Sequence, residues 1–266
     1  MKKQEKCLHS FCPSPSNRRV LIKEKEKQSL STLYDWNAVA RPSQRLPEGE
    51  WQVWLILAGR GFGKTRTGAE TIRHWVKSQK CRRLALLAEN ELDGRQVMVE
   101  GVSGILAVHP PEERPVFIAS RRELIWPNGA MGTLFSAEAY ERLRGPQFDG
   151  AWVDELAKFP HLEDVWDQLM FGLRLGAHPQ VVVTTTPRPL PFLESLMRAS
   201  STFVTQGTSY ENVNNLSPTF VTQVLEKYKN TTLGAQEIFA EILTHNLETL
   251  WSPSMIVYRT PSDCGA

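Results

Sequence analysis

The sequence predicts an α/β fold in which helices flank a mainly parallel sheet. Short apolar runs, which are typical of buried strands, alternate along the chain with longer amphipathic stretches, which are typical of helices. Residues 180–183 form a β-branched run of the kind found in strands that are buried on both faces. A glycine-rich segment, residues 58–65, lies between a predicted strand and a predicted helix. In sheets of this kind, ligands bind beyond the carboxyl ends of the strands.

The elements can be assigned in chain order from these patterns. We expect strands at residues 53–57, 83–89, 115–119, 123–126, 131–135, 148–155, 180–183 and 202–206. We expect helices at residues 65–77, 92–108, 160–175, 191–199, 217–229 and 233–245. Residues 127–130 carry a turn signal that should join two of the strands as a hairpin. Residues 136–146 should form a surface loop.

The glycine-rich segment has the residue types of a phosphate-binding P-loop, although Ala58 stands where the usual pattern has its first glycine. Glycines let backbone N–H groups turn toward phosphate oxygens, which the positive end of the following helix also attracts. Lys64 should reach the β- and γ-phosphates of ATP, and the hydroxyl of Thr65 should bind Mg²⁺. The alternative, a chance glycine-rich turn, fits the strand and helix context poorly. The expected phosphate-binding residues are Gly59, Gly61, Gly63, Lys64, Thr65 and Arg66.

The segment before the P-loop contains a glutamine with aromatic neighbours. Gln44 follows Tyr34 and Trp36 and precedes the P-loop strand. Such a glutamine could hold the adenine ring of ATP, and an ordinary packing role explains the same residues equally well.

Two adjacent acids end the strand predicted at residues 148–155. Asp154 fits the acid that holds Mg²⁺ through water in P-loop enzymes. Glu155 can polarise a water molecule for attack on the γ-phosphate, which favours hydrolysis over transfer to a second substrate. Two acids that merely cap the next helix are the alternative. Together with the P-loop, this pair predicts a P-loop NTPase of the ASCE, or RecA-like, type.

Three threonines and two arginines complete the candidate site. Hydroxyls at Thr184, Thr185 and Thr186, at the end of the next strand, could sense the γ-phosphate and couple its loss to movement, although threonine also simply favours strands. Arg60 lies inside the P-loop and can reach the nucleotide of its own subunit. Arg144 lies in the predicted surface loop, where it is either solvated or enters a neighbour's site.

Composition limits the other possibilities. The chain has 266 residues, a formal net charge of +2 and a hydrophobic content of 41%, which suit one large domain with a core. The net charge alone does not indicate nucleic-acid binding. No apolar run is long enough to span a membrane, and the lysine-rich start lacks the apolar stretch of a secretory signal. We expect a cytoplasmic protein without a membrane partner, with a loosely ordered arm at residues 1–30 and an ATPase core at residues 31–207.

These residues resemble the large subunit of phage terminases, particularly the branch found in gene transfer agents and related tailed phages. The similarity extends over about residues 33–260 of this sequence. The matching motifs lie at residues 40–44, 51–69, 126–129, 136–137, 143–147, 154–157, 171–176, 184–188, 210–212 and 236–237.

The resemblance implies an ATPase that drives double-stranded DNA into a procapsid through its portal, together with a small terminase subunit. It implies a ring homo-oligomer when assembled and a monomer alone, in the host cytoplasm. It assigns phosphate and Mg²⁺ binding to Lys64, Thr65 and Arg60, metal positioning to Asp154 and water activation to Glu155. By the same resemblance, residues 184–186 form the coupling motif, Arg144 is a finger acting on the neighbouring subunit, and residues 208–250 form a lid subdomain.

The sequence departs from the family pattern in two places. Residues 230–237 lack two arginines that the family usually has there, which leaves any role of those arginines in doubt. Residues 251–266 stand where a nuclease domain would start, and the only acid after Glu248 is Asp263. A single acid cannot build a two-metal site, so we expect no DNA cleavage by this stretch.

Two other functions remain compatible with the sequence. One is a different P-loop ATPase that acts on nucleic acid, such as a helicase-like remodeller, which would need a second RecA-like domain. The other is a non-catalytic terminase remnant that still binds nucleotide or a packaging partner.

Overall fold

The computed structural model describes residues 34–243. Its contacts divide the chain into two units, residues 1–40 and residues 41–266. In the first unit, the described part contains α1 (Trp36–Val39), a single turn capped by the side chain of Asp35. All other elements belong to the second unit. The predicted arm at residues 1–30 and the predicted tail at residues 251–266 lie outside the described residues.

One eight-stranded sheet organises the second unit, and its strand order is β3-β4-β5-β2-β6-β7-β1-β8. The strands are β1 (Val53–Ala58), β2 (Arg83–Ala88), β3 (Val116–Ile118), β4 (Glu123–Ile125), β5 (Met131–Ser136), β6 (Gly150–Asp154), β7 (Gln180–Thr185) and β8 (Thr202–Gly207). All pairs are parallel except β3 with β4 and β4 with β5. The mainly parallel sheet and the hairpin at residues 127–130 are therefore confirmed.

The remaining elements cover the faces and the edges of the sheet. The other α-helices are α2 (Lys64–Lys77), α3 (Glu91–Asp93), α4 (Ile105–Val108), α5 (Leu162–Gly172), α6 (Pro191–Arg198), α7 (Pro218–Phe220), α8 (Glu226–Tyr228) and α9 (Thr232–Glu237). Two π-helical segments, Gly94–Val99 and Val221–Leu225, follow α3 and α7 directly. The 3-10 helices are Pro42–Gln44, Ala137–Leu143, Leu156–Lys158 and Ser209–Asn215.

The core has two parts because side chains alternate between the two faces of a strand. Between α2 and the face of the sheet that packs against it, Trp54, Trp152 and Trp75 of α2 itself are fully buried. On the opposite face, Leu55 and Leu169 belong to a second buried cluster. Strands β1, β6 and β7 are buried along their whole length, so they form the interior of the sheet. Within residues 34–243, no helix is long and apolar enough to cross a membrane.

Three predicted segments were wrong in detail. The helix predicted at residues 92–108 is broken, because the chain turns at residues 101–104, where a Cβ on Gly101 would lie 2.5 Å from the carbonyl oxygen of Val97. The surface loop predicted at residues 136–146 is largely a 3-10 helix, whose start is capped by the Ser136 side chain. The helix predicted at residues 233–245 ends at Glu237, and the chain continues without helix to residue 243.

A buried histidine ties the end of α4 to the β4–β5 hairpin. Trp126 Nε1 donates to His109 Nε2 at 2.9 Å, and His109 Nδ1 lies 2.7 Å from the carbonyl oxygen of Ile105. The ring must therefore be neutral, with Nδ1 as the donor. Burial lowers the pKa of His109 to about 4, and the nearby Arg73 adds to this effect. The unfolded chain binds a proton at a higher pH than the fold does, so the contribution of His109 to stability is lost as pH falls from about 6.5 toward about 4.

This pH dependence can be tested with His109→Gln, whose amide can still accept from Trp126 and donate to Ile105 but does not titrate. Relative to the variant, the wild-type free energy of unfolding should fall by about 2 kcal/mol between about pH 7 and about pH 4.5. Urea unfolding at the two pH values measures the difference. The exposed His178 provides a control for the substitution itself, since His178→Gln should leave the free energy of unfolding at about pH 7 as in the wild type. An unchanged profile in His109→Gln would show that other groups dominate acid unfolding.

Candidate functional site

The P-loop joins the carboxyl end of β1 to the start of α2. Gly61 and Gly63 have φ angles of 77° and 101°, a region that side chains disfavour. Gly59 is restricted for another reason. A Cβ there would lie 2.5 Å from the carbonyl oxygen of Ile238 and 2.7 Å from the hydroxyl oxygen of Ser209. The loop therefore takes its shape both from its own backbone and from the chain that follows β8.

Lys64 is buried at the centre of this site. Its ammonium group donates to the carbonyl oxygens of Ala58 at 2.8 Å and Gly59 at 3.3 Å, and to the hydroxyl of Thr186 at 3.2 Å. Its Nζ lies 3.7 Å from Oε1 of Glu155. Burial lowers the pKa of Lys64, and the negative charge of Glu155 partly opposes that shift. The P-loop lysine, the end of β7 and the candidate base thus meet at one point.

The two acids at the end of β6 have different surroundings. Asp154 is 7% exposed, and burial, with Glu155 beside it, raises its pKa to about 7. Glu155 is more exposed and has a left-handed backbone, with φ 54°. That conformation costs about 1 kcal/mol or more for a residue other than glycine and often occurs at functional sites. The turn directs the Glu155 side chain toward Lys64 and the backbone N–H of Thr186, which is 3.4 Å from Oε2.

The three threonines of β7 and its end make three different contacts. Thr184 donates to Oδ1 of Asp154 at 2.6 Å and accepts from the Trp152 indole at 3.0 Å. Thr185 accepts from the backbone N–H of Ala157 at 3.0 Å, which fixes the chain after Glu155. Thr186 contacts Lys64 through its side chain, as described above. Threonine side chains thus link the strand that carries the acids to the P-loop.

The side chain of Arg60 points away from the rest of the P-loop and contacts Glu237, the last residue of α9. Its Nε donates to Oε2 of Glu237 at 2.7 Å, and its backbone N–H donates to the carbonyl oxygen of Glu237 at the same distance. The contact raises the pKa of Arg60, mainly through the hydrogen bond from its side chain. The guanidinium is largely exposed, so the ion pair itself contributes little to stability.

Arg41 and Asn212 contact each other and the backbone of the P-loop. Arg41 donates to Oδ1 of Asn212 at 2.7 Å and to the carbonyl oxygen of Phe62, and its guanidinium lies over the Phe62 ring. Asn212 in turn donates to the carbonyl oxygen of Gly61 at 2.6 Å. Sequence reasoning noticed both residues only as parts of larger motifs, because no local pattern shows that they meet across the loop.

Gln44 lies against the P-loop from the same side. It is buried, its Nε2 donates to Thr67 Oγ1 at 3.1 Å, and a Cβ on Gly63 would lie 2.8 Å from that nitrogen. The adenine role of Gln44 stays a prediction. Arg66, on the first turn of α2, donates from Nε and Nη2 to the same oxygen of Glu70, Oε1, at 2.9 Å and 2.7 Å.

The two remaining predicted residues, Thr65 and Arg144, have different positions relative to this cluster of contacts. Thr65 is half-buried and directly follows Lys64 at the start of α2. Arg144 is exposed after the 3-10 helix that follows β5, and its Nε lies 3.0 Å from a carboxylate oxygen of Glu141. Arg144 can contact another molecule because it is exposed. Its ion pair is with Glu141 and not with a residue of the site described above.

These elements can hold a cation together with a polyphosphate. A buried carboxylate whose pKa is raised gains from a nearby cation, and the Thr65 hydroxyl at the helix start supplies an oxygen ligand of the kind that Mg²⁺ prefers. The helix N-terminus and Lys64 supply positive charge for phosphate oxygens. The fold and the site therefore define a P-loop NTPase with a carboxylate beside the P-loop lysine.

The particular family follows from sequence comparison. The family described as terminase large subunit, T4likevirus-type, N-terminal, matches residues 55–257. The chain belongs to this family. No curated protein matches the sequence.

Solved structures with the same fold include other large terminases. The ATPase domain of the Thermus phage P74-26 large terminase is 13% identical, with a TM-score of 0.59 over 77% of this chain and 94% of that chain. The large terminase of a thermophilic bacteriophage, solved in complex with ADP, is 15% identical, with a TM-score of 0.57 over 80% of this chain and 52% of that one. This chain thus spans about half the length of the second relative.

The contact between Arg60 and Glu237 predicts an effect on nucleotide affinity. Glu237→Gln removes a negative charge beside the P-loop and frees the Arg60 side chain. We expect a fluorescent ADP analogue to bind about threefold to tenfold more tightly at low salt, because both changes favour a bound anion. Fluorescence titration measures the dissociation constant.

A matched control is Glu194→Gln, which breaks the surface ion pair of Glu194 with Arg198 away from the P-loop. That variant should bind the analogue like the wild type. Weaker binding by Glu237→Gln would instead mean that the Arg60 contact shapes the loop for the nucleotide.

Proposed function

We propose that this chain is the ATP-hydrolysing part of a DNA-packaging motor, which drives double-stranded DNA into a phage or gene-transfer-agent capsid. The observation that carries the proposal is the meeting of Lys64 and Glu155, 3.7 Å apart, at the carboxyl ends of buried parallel strands. The ammonium group of the P-loop lysine thus lies beside a carboxylate that can act as a base. Family membership supplies the packaging context.

In the proposed reaction, the ammonium of Lys64 moves from the carbonyl oxygens of the P-loop to the β- and γ-phosphates of ATP. Backbone N–H groups of the loop, Gly61 and Gly63 among them, donate to the same phosphates. Glu155 accepts a proton from water while the water oxygen bonds to the γ-phosphorus and the bond to the bridging oxygen of ADP breaks. Phosphate and ADP are the products.

Thr65 and Asp154 would hold Mg²⁺ in the same site. The ion would neutralise charge on the phosphate oxygens of ATP. This assignment is supported by the Thr65 hydroxyl at the start of α2 and by the buried carboxylate of Asp154.

Coupling of hydrolysis to movement is proposed to run through the end of β7. Thr186 contacts Lys64 through its hydroxyl and Glu155 through its backbone N–H. Loss of the γ-phosphate would change the contacts of Lys64 and of Glu155, and both residues contact Thr186. The segment after β8 contacts the P-loop through Glu237 and Asn212, so it can respond to the same event as a lid.

Arg144 is proposed to act on the nucleotide of a neighbouring subunit in a ring. Its exposure, and its contact with Glu141 rather than with Lys64 or Glu155, support action on another molecule. The portal, the procapsid and a small terminase subunit are the proposed partners in the host cytoplasm. We also propose that residues 1–266 do not cleave DNA. A plasmid nicking assay with Mg²⁺ or Mn²⁺ tests this directly.

The first test separates a working ATPase from a non-catalytic relative. Lys64→Ala should lower ATP turnover and nucleotide binding together, whereas Glu155→Gln should lower turnover about a hundredfold or more and leave binding intact. Phosphate release and fluorescent-nucleotide titration measure the two properties. Lys77→Ala, at the exposed end of the same helix, is the control and should behave as the wild type. Turnover that survives Lys64→Ala would rule out this site.

The second test asks whether Arg144 acts between subunits. Arg144→Ala and Glu155→Gln should each be nearly inactive at concentrations where the wild-type rate per subunit rises, since a finger contributes about a thousandfold. A mixture of the two variants should regain activity, because a Glu155→Gln subunit can supply Arg144 to an intact neighbouring site. Arg198→Ala, which also breaks an exposed ion pair, is the control. A mixture that stays inactive while Arg144→Ala alone is impaired would place the arginine in its own subunit's site.

A further inference from the structure

A buried tryptophan and a buried threonine stand behind the metal-site acid. Trp152 and Asp154 lie two residues apart on β6, so both side chains are on the face of the sheet that packs against α2. Thr184 lies directly opposite Asp154 in the pairing of β6 with β7. Both Trp152 and Thr184 are fully buried.

Their hydrogen bonds form a directed chain. The indole N–H of Trp152 donates to Oγ1 of Thr184 at 3.0 Å, and the Thr184 hydroxyl lies 2.6 Å from Oδ1 of Asp154. Its other acceptor, the carbonyl oxygen of Val153, is farther away at 3.2 Å. Because Oδ1 of Asp154 is the nearer acceptor, the hydroxyl proton is directed to the carboxylate, while a lone pair of the threonine oxygen accepts from the indole. One oxygen of Asp154 is thereby engaged, which fixes the rotation of the carboxylate.

The packing around the Trp152 indole keeps this chain of hydrogen bonds in place. A Cβ on Gly68, in the second turn of α2, would overlap the five-membered ring of Trp152. The indole therefore fits against α2 only because residue 68 has no side chain. The helix that begins with Lys64 thus also holds the tryptophan that orients Asp154.

We infer that Trp152 and Thr184 are positioning residues that orient the Asp154 carboxylate for a divalent cation, with Gly68 making room for the indole. This assigns Thr184 a role other than sensing the γ-phosphate, because its hydroxyl is buried and faces the acid. The inference rests on the proposed function, in which Asp154 holds Mg²⁺. Residues that orient metal ligands typically change metal affinity about tenfold or more when they are removed.

The test uses Thr184→Val, which keeps the shape of the side chain and removes the hydroxyl, beside Thr184→Ser, which keeps the hydroxyl. Binding of a fluorescent ADP analogue is measured with a Mg²⁺ series and with EDTA. We expect Thr184→Val to need about tenfold more Mg²⁺ for tight binding, with unchanged affinity in EDTA, and Thr184→Ser to resemble the wild type. Trp152→Phe should shift the Mg²⁺ requirement in the same direction by a smaller factor.

The sheet offers a matched control in a second tryptophan–threonine pair. Trp54 Nε1 donates to Thr205 Oγ1 at 2.9 Å, and that pair contacts no carboxylate among the described residues. Thr205→Val removes a similar hydrogen bond and should leave the Mg²⁺ requirement unchanged. Thermal unfolding of all variants checks that they fold.

The possible outcomes separate this inference from the proposed function. A wild-type protein whose ADP binding does not respond to Mg²⁺ would overturn both. A Mg²⁺ response that is the same in Thr184→Val and the wild type would overturn the inference alone. So would a loss of affinity in Thr184→Val that is equal in EDTA and in Mg²⁺, since a general structural defect produces that pattern.

Discussion

The site depends on the parallel pairing of β7 with β6 on one side and β1 on the other. The registers place Thr184 opposite both Asp154 and Ile56, so the three strands reach the same edge together. A one-residue slip of these strands would move every side chain to the opposite face of the sheet, where it would meet a different part of the core. The packing of the core and the strand registers therefore fix the relative positions of the P-loop and the acids.

Buried charge then determines the contacts at that edge. Lys64 and Asp154 are both buried, and burial shifts the pKa of each toward the neutral form. Such groups are costly unless other groups satisfy them. Two P-loop carbonyls and Thr186 accept from Lys64, and Thr184 donates to Asp154. A nucleotide and its cation would satisfy the same groups with stronger partners, so the cost of burying them favours binding.

Local patterns predicted most of the fold and the centre of the site. The apolar run of β7, the glycines of the P-loop and the acids at 154–155 are each visible as short stretches of sequence. They identify the sheet and the edge at which the P-loop and the acids meet. The break at residues 101–104 was not predicted because the apolar residues on both sides of it keep a spacing near 3.6, although Val97, Val99 and Val102 blur the pattern. The turn depends on close backbone approach at Gly101. The 3-10 helix after β5 was missed because its turns are short and its charged residues suggest a loop.

The contacts that sequence reasoning could not find all join distant segments. Arg41 meets Asn212 across the P-loop, Arg60 meets Glu237, and Trp152 meets Thr184. The residues of each pair are common types, and only the contact with the other residue gives them a role. The periodicity of one element does not show which residue of another element will contact it. These contacts attach the segment before β1, the P-loop and the segment after β8 to one another. Because polar groups from these segments contact the P-loop directly, a change at the phosphates can be passed outward through single hydrogen bonds.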